Sequence, residues 1–143
     1  MAETNIILKN PLESRLGYQL RRASVVIMAD LAESLAELDL KPAQASILAL
    51  IKANPAITQT EIGRMLAIQR ANMVPLIASL MTRKLIARHA TDGRSHALHL
   101  TSAGRALAAK ADDRIQAHED RFFRGLPVSE RSRLLSRLRA IWE

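Results

Sequence analysis

Hydrophobic residues in the first forty positions recur every three or four residues, which is the spacing of one face of an α-helix. The recurring positions are Leu16, Leu20, Ala23, Ile27, Leu31, Leu35 and Leu38. Asn10, Pro11 and Glu13 have the order of a helix cap, a first helical residue and a capping glutamate, so we expect the helix to begin there. The polar stretch 39–42 predicts its end. A helix with one long apolar stripe needs a partner surface.

Three further helical patterns and two short strands follow. Residues 42–53 predict a second helix with little polar face, ended by an Asn-Pro pair. Thr58 and Glu61 have the spacing of a capping box, which predicts a third, short helix. A turn at 67–69 separates that helix from a fourth, which runs to about Lys84. A helix, a three-residue turn and a second helix therefore lie in the middle of the chain.

Residues 85–89 and 96–100 alternate as two short strands do, and the Asp92-Gly93 pair between them predicts a two-residue hairpin turn. Thr101 caps a long helix that continues to about Arg124, and a last helix follows. The predicted fold is mainly α with a small β-hairpin wing. Its helix-turn-helix and hairpin form a winged helix, and helices from both chain ends form a dimerisation region.

This arrangement indicates a reader of double-stranded DNA, because the second helix of such a pair fits the major groove. Its first turn offers Gln69, Arg70 and Asn72 as candidates for contact with base edges. The hairpin tip can place Arg94 in the minor groove, with Asp92 and Gly93 shaping the wing. The candidates for phosphate contact are Arg64, Arg83, Lys84 and Arg88.

Charge agrees with a polyanionic partner, since the 143 residues carry a formal net charge of +7. Residues 58–101 hold six Lys and Arg against two Asp and Glu, whereas residues 1–57 hold six of each. The chain has no cysteine, and we see no signal peptide or membrane span, so a cytoplasmic protein is expected. An alternative is a basic helical protein that binds an anionic membrane surface or a protein partner through its arginine-rich last helix.

No catalytic constellation or cofactor motif is present in the sequence, so we expect no enzyme activity and no cofactor. Three of the four histidines lie in the predicted hairpin. His96 and His99 fall on opposite faces of a strand, and His89 could face His96 only across a two-residue turn. Two imidazoles without further ligands make a poor zinc site, so we expect no metal.

The sequence resembles the MarR family of bacterial transcription regulators over nearly its whole length. The similar segments are Ile57-Thr58 at the helix pair, Leu85-Ile86-Ala87-Arg88 at the wing entry, Asp92-Gly93-Arg94 in the wing and Leu100-Thr101-Ser102-Ala103-Gly104 after it. The resemblance implies a homodimer on a pseudo-palindromic operator, in which residues 1–40 and 102–143 dimerise and residues 41–101 bind DNA. It also implies repression that a small ligand relieves.

The ligand that the resemblance implies is aromatic, with an aromatic acid or its coenzyme A thioester as the class. The ligand candidates are Tyr18, Arg21, Arg22 and His118, although a histidine satisfied within its own helix packing is the commoner case. With 3% aromatic residues, we expect a pocket of aliphatic side chains and a cationic anchor.

Two positions depart from the family pattern inside the helix pair. Pro75 falls about two turns into the fourth helix if Gln69 is its cap, so either the cap lies near Asn72 or the proline bends the helix. Lys84 stands where a glycine usually ends that helix, which predicts a different cap.

Overall fold

The computed structural model describes residues 8–90 and 96–143, and within them the chain forms six helices and one two-stranded sheet. In chain order the elements are α1 (Leu16–Ala36), α2 (Pro42–Ala53), α3 (Gln59–Met65), α4 (Arg70–Thr82), β1 (Ile86–Ala90), β2 (His96–Leu100), α5 (Ser102–Phe123) and α6 (Val128–Trp142). The predicted fold class, mainly α with a hairpin wing, is confirmed.

The first helix begins later than predicted, at Leu16. The Asn10 side chain accepts a hydrogen bond from the Leu12 backbone N–H at 3.0 Å, and its amide donates to the Tyr18 hydroxyl at 3.2 Å. Asn10 therefore closes a turn over residues 11–14 and does not cap the helix. Arg15 occupies the cap position without a side-chain hydrogen bond.

The hydrophobic core lies in the middle of the chain. Its fully buried members are Leu35, Ile47, Leu48, Ile62, Met73, Ile77, Leu80 and Leu98. The long helix α1 contributes only Leu35, from its last turn. The helix α6, all of which lies within the described residues, has no buried residue. The chain ends therefore add little to the core of a single chain, and their apolar stripes stay exposed.

The fourth helix is continuous from Arg70 to Thr82, with Gln69 at its cap position. The alternative of a later cap at Asn72 is therefore wrong. Pro75 lies inside the helix, and since proline has no N–H, the Ala71 carbonyl lacks its usual partner four residues on. Both residues are exposed, so water can satisfy that carbonyl.

The end of α4 corrects the expectation of an unusual cap at Lys84. Lys84 has φ +55°, the left-handed conformation that glycine adopts most easily. Its N–H donates to the Met81 carbonyl at 2.9 Å, and the Leu85 N–H donates to the Leu80 carbonyl at 3.0 Å. These two bonds define the Schellman motif. The usual cap is kept, with lysine in place of glycine.

The register of the wing hairpin differs from the one that the predicted turn implies. The antiparallel strands pair Ile86 with Leu100 and Ala90 with His96. The predicted two-residue turn, with Asp92, Gly93 and Arg94, lies outside the described residues. His89 faces Ala97 and not His96.

The start of α5 approaches the end of α4 closely at Gly104. The Thr101 hydroxyl accepts from the Gly104 N–H at 3.0 Å and donates to the Lys84 carbonyl at 2.7 Å. The Thr101 N–H donates to the Leu85 carbonyl at 3.0 Å. A Cβ atom on Gly104 would lie 1.9 Å from that same carbonyl oxygen. Only glycine fits this contact without moving the backbone.

We therefore expect Gly104→Ala to lower the free energy of unfolding by about 3 kcal/mol, because the added methyl group must push α5 away from Leu85. Gly125→Ala is the matched control, since a Cβ there meets open space, and should change stability by about 0.5 kcal/mol or less. Urea denaturation followed by circular dichroism measures both. Equal stability of the two variants would contradict the close contact.

Candidate nucleic-acid interface

The helix pair and the wing form an open concave surface. The space that this surface encloses has a volume of about 820 Å³. It is lined by Thr58, Gln59, Thr60, Gly63, Arg64, Ala67, Ile68, Gln69, Arg70, Met73, Val74, Arg88 and His96. Four of the predicted DNA contacts, Arg64, Gln69, Arg70 and Arg88, thus share one surface. Three of the four carry a positive charge.

The capping box predicted at the start of α3 is confirmed. The Thr58 N–H donates to the Glu61 carboxylate at 2.7 Å, and the Glu61 N–H donates to the Thr58 hydroxyl oxygen at 3.3 Å. The hydrogen bond from the Thr58 backbone lowers the pKa of Glu61. With its start fixed, α3 buries Ile62 and leaves Arg64 exposed on the concave surface.

A tight turn joins α3 to α4. Ala67 has φ +51°, and the Ile68 N–H donates to the Gly63 carbonyl at 2.9 Å. The turn brings exposed Gln69 and Arg70 to the first turn of α4. This first turn holds no acidic residue, so the free N–H groups and the helix dipole favour a phosphate nearby.

Asn72 lies apart from the other candidates on α4. It is exposed, but it lines a second groove together with Asp39, Gln44, Pro75 and Arg83. The concave surface does not include it. The structure therefore separates Asn72 from Gln69 and Arg70, on the other flank of the helix.

Arg83, a predicted phosphate contact, is bound by its own chain. Its guanidinium donates to the Asp39 carbonyl at 2.5 Å and to the Leu38 carbonyl at 3.2 Å. It thus ties the end of α4 to the loop between α1 and α2. Arg88, by contrast, is exposed on β1 and donates to the Gln59 side chain at 3.0 Å, which holds it at the edge of the concave surface.

The ligand candidates on α1 lie near the start of that helix. The Arg21 guanidinium lies 5.5 Å from the centre of the Tyr18 ring, a cation–π contact. A shallow groove runs past both residues and also includes Arg15. Arg22 is exposed beside them. Three arginines thus lie within eight residues.

His118 on α5 is held by its own chain. It is 2% exposed, and its Nδ1 lies 2.7 Å from the Asp30 carboxylate, which also accepts from Arg121. Asp30 is twelve residues after Tyr18, about 18 Å along a helix. One chain therefore does not bring His118 to Tyr18. The geometry is that of a satisfied helix histidine, and ligand contact by His118 stays a prediction.

Sequence reasoning missed Asp30 as the partner of His118 and Arg121 as a second partner of Asp30. Periodicity places Asp30 on α1, but the residue that it meets on α5, 88 positions later, depends on how the two helices are aligned. The available signal in the sequence was the position of Asp30 beside the apolar stripe of α1, where an acidic side chain needs a partner. Hydrogen bonds from His118 and then from Arg121 lower the pKa of Asp30.

Residues 8–90 and 96–143 contain neither a metal-binding cluster nor a membrane-spanning helix. No group of three His, Cys, Asp or Glu side chains there is placed to hold a metal ion. The His89 and His99 rings pack edge to face, with centroids 4.7 Å apart. Within the same residues no helix is long and apolar enough to cross a membrane.

The lowered pKa of Asp30 predicts a pH-dependent contribution to stability. This contribution is complete above the ordinary carboxyl pKa of 3.8 and is lost as the pH falls through the lowered value in the folded protein. Asp30→Asn should therefore lower the urea midpoint at pH 7, and the difference from the unchanged protein should shrink below pH 3.8. Asp113→Asn, exposed on α5, is the control. A difference that persists undiminished at acid pH would contradict the ion pair.

Comparison with known proteins agrees with this geometry. Residues 38–95 match the sequence profile of the MarR family. The chain is similar to the transcriptional repressor CouR bound to a 23-mer DNA duplex, with 41% identity and a TM-score of 0.87 over 95% of this chain and 99% of that one. CouR bound to p-coumaroyl-CoA is 38% identical, with a TM-score of 0.82, over 94% and 96% of the two chains.

A helix-turn-helix transcriptional repressor of Mycobacterium bovis is 27% identical over 131 residues, which are 88% of this chain and 94% of the relative. These similarities extend over both the winged helix and the long helices at the chain ends. The chain belongs to the MarR family of transcriptional regulators.

Proposed function

We propose that this protein is a transcriptional repressor that binds a pseudo-palindromic operator as a homodimer and is released by an aromatic acid or its coenzyme A thioester. One observation carries the DNA part of the proposal. The exposed first turn of α4 and the arginines of α3 and β1 share one concave surface. A duplex presents phosphates on both sides of a groove, which such a surface matches.

The residues divide by position into two roles. Gln69 and Arg70, at the start of α4, lie where a recognition helix meets base edges. Arg64 and Arg88 flank that helix and would contact phosphates, which fix the register of the protein on DNA without reading sequence. Asn72, on the other flank, would meet the opposite wall of the groove.

Arg94 would enter the neighbouring minor groove from the tip of the wing, with Asp92 and Gly93 shaping the tip. These three residues follow β1, whose Arg88 is already on the concave surface. The negative potential of a narrow minor groove favours an arginine there.

The homodimer would be formed by residues 1–40 and 102–143, and DNA would be bound by residues 41–101. Exposed apolar residues on the end helices support this division. They are Leu16, Leu20, Val25, Val26, Met28, Leu134, Leu135, Ile141 and Trp142. Apolar side chains on two unburied helices are the usual sign of a subunit interface. Two-fold symmetry then places half-sites about 10 base pairs apart.

The effector class follows from two observations. A similar repressor is bound to p-coumaroyl-CoA in its solved structure, and coenzyme A carries several phosphates. The start of α1 holds Arg15, Arg21 and Arg22, with Tyr18 stacked against Arg21. Charge-assisted bonds from these arginines would hold the phosphates. His118 would contact the ligand where α1 and α5 meet, the place at which Asp30 holds its ring.

A membrane-binding role for the basic last helix has less support. Arg131 on α6 donates to Glu119 at 3.0 Å, so its charge is balanced by an acidic side chain of its own chain. The cations of the concave surface lie on α3, α4 and β1, away from α6. Anionic vesicles are a useful control in binding experiments.

Selection of bound duplexes from random DNA tests the function directly, and we expect a palindrome with half-sites about 10 base pairs apart. On that operator, Arg64→Ala and Arg88→Ala should each flatten the plot of log affinity against log salt by about 1.8, because each removes one phosphate contact per subunit at about 0.9 per contact. Arg94→Ala should weaken operator binding and leave the dimer intact.

Arg124→Ala is the control for these variants, since it lies about 30 Å along α5 from the wing. Its salt dependence should match that of the unchanged protein. Recovery of no motif, or preferential binding to anionic vesicles, would refute the proposed function.

Titration of the protein–operator complex tests the effector class. We expect p-coumaroyl-CoA to release DNA, with free p-coumarate and free coenzyme A as separate arms. Arg21→Ala should raise the thioester concentration needed by about tenfold or more, the loss expected for a charge-assisted hydrogen bond. Exposed Lys110→Ala on α5 is the control. Stable operator complexes at saturating thioester and saturating p-coumarate would exclude this effector class.

A further inference from the structure

We infer that α4 recognises thymine through the 5-methyl group, with Val74 as the main contact and Ala71, Pro75 and Ala78 around it. This inference deepens the proposed function and depends on it. It concerns which base the outward face of the recognition helix can read.

The buried residues of α4 show which face of this helix points outward. Met73, Ile77 and Leu80 are buried, and at 100° per residue they mark one side of the helix. By the same spacing Ala71, Pro75 and Ala78 lie on the opposite side, and Val74 lies next to them, at about a right angle to the buried side. All four are exposed. Val74 keeps 50% of its surface exposed. A helix that enters a groove with its core side against the protein presents these four residues to the base edges.

This face of α4 carries no side-chain hydrogen-bond donor or acceptor at those four positions. Pro75 also lacks a backbone N–H. These four side chains therefore cannot read the pattern of donors and acceptors in the major groove. The remaining feature of that groove is apolar, since thymine alone among the four bases presents a methyl group there.

Neighbouring charges make DNA the occupant of this face. Val74 lines the same concave surface as Arg64, Arg70 and Arg88. Because Arg64 and Arg88 would contact phosphates beside this apolar side chain, the surface favours a ligand that joins phosphates to an apolar group, as a thymine nucleotide in a duplex does. Because the four side chains are small, they also allow the helix to approach the bases closely.

Recognition of hydrogen-bond donors and acceptors on the bases is then left to the residues on either side of this face. Arg70 begins α4 on one side, and Asn72 lies on the other. We therefore expect thymines at the centre of each half-site and a guanine or adenine at its edge, since Arg pairs with guanine and Asn with adenine.

The test uses the operator found by selection. Each thymine is replaced in turn by deoxyuridine, which keeps base pairing and the O4 acceptor and loses only the methyl group. Burial of one such group is worth about 0.8 kcal/mol, so affinity should fall about fourfold at one or more central thymines of a half-site. Replacement of thymines outside the half-sites is the control.

A double-mutant cycle assigns the effect to Val74. Val74→Ala should bind the thymine and deoxyuridine duplexes with nearly equal affinity at the coupled position. Folding should be preserved because Val74 is half-exposed and alanine favours helix.

The outcomes separate the inference from the proposed function. Specific operator binding that no deoxyuridine replacement weakens would overturn thymine reading and leave the repressor intact. A deoxyuridine effect that remains fourfold in Val74→Ala would overturn the assignment to this face. Absence of any sequence preference would overturn the proposed function itself, and the inference with it.

Discussion

The carbonyl of Leu85 is the point on which the arrangement of this protein depends. It accepts the Thr101 N–H, and it lies where a Cβ on residue 104 would stand. The N–H of the same residue donates back to Leu80 and ends α4. One peptide segment therefore fixes the end of the recognition helix, the start of the wing and the angle at which α5 leaves it. Changes in this contact move the DNA-binding surface relative to the long helices.

The buried apolar side chains are concentrated in the winged helix, and few of them lie in the helices at the chain ends. The winged helix buries most of the large apolar side chains, including Ile47, Ile62 and Leu98, so it is held together within one chain. The end helices keep apolar stripes exposed, which supports the proposal that a second chain covers them. The Asp30–His118 contact joins α1 to α5 at the border between these regions.

Much of this arrangement is predictable from the sequence, because it depends on local signals. The capping box at Thr58 and Glu61 and the periodicity of α4 place the helix pair correctly. Features that depend on distant neighbours are not predictable in the same way. Asp30 meets His118 88 positions away, and Arg83 donates to the Asp39 carbonyl 44 positions away. The charge of Arg83 suggests a phosphate contact but does not reveal this tether.

Four turns after helices use a left-handed residue that is not glycine: Asp39, Ala56, Ala67 and Lys84. Each such residue costs about 1–2 kcal/mol in backbone strain. In exchange, a residue with a side chain has fewer accessible backbone conformations than glycine, both in the unfolded chain and in the folded turn. The joints between α1, α2, α3, α4 and the wing therefore have fewer alternative conformations than glycine turns would have, which favours movement of these elements as one unit.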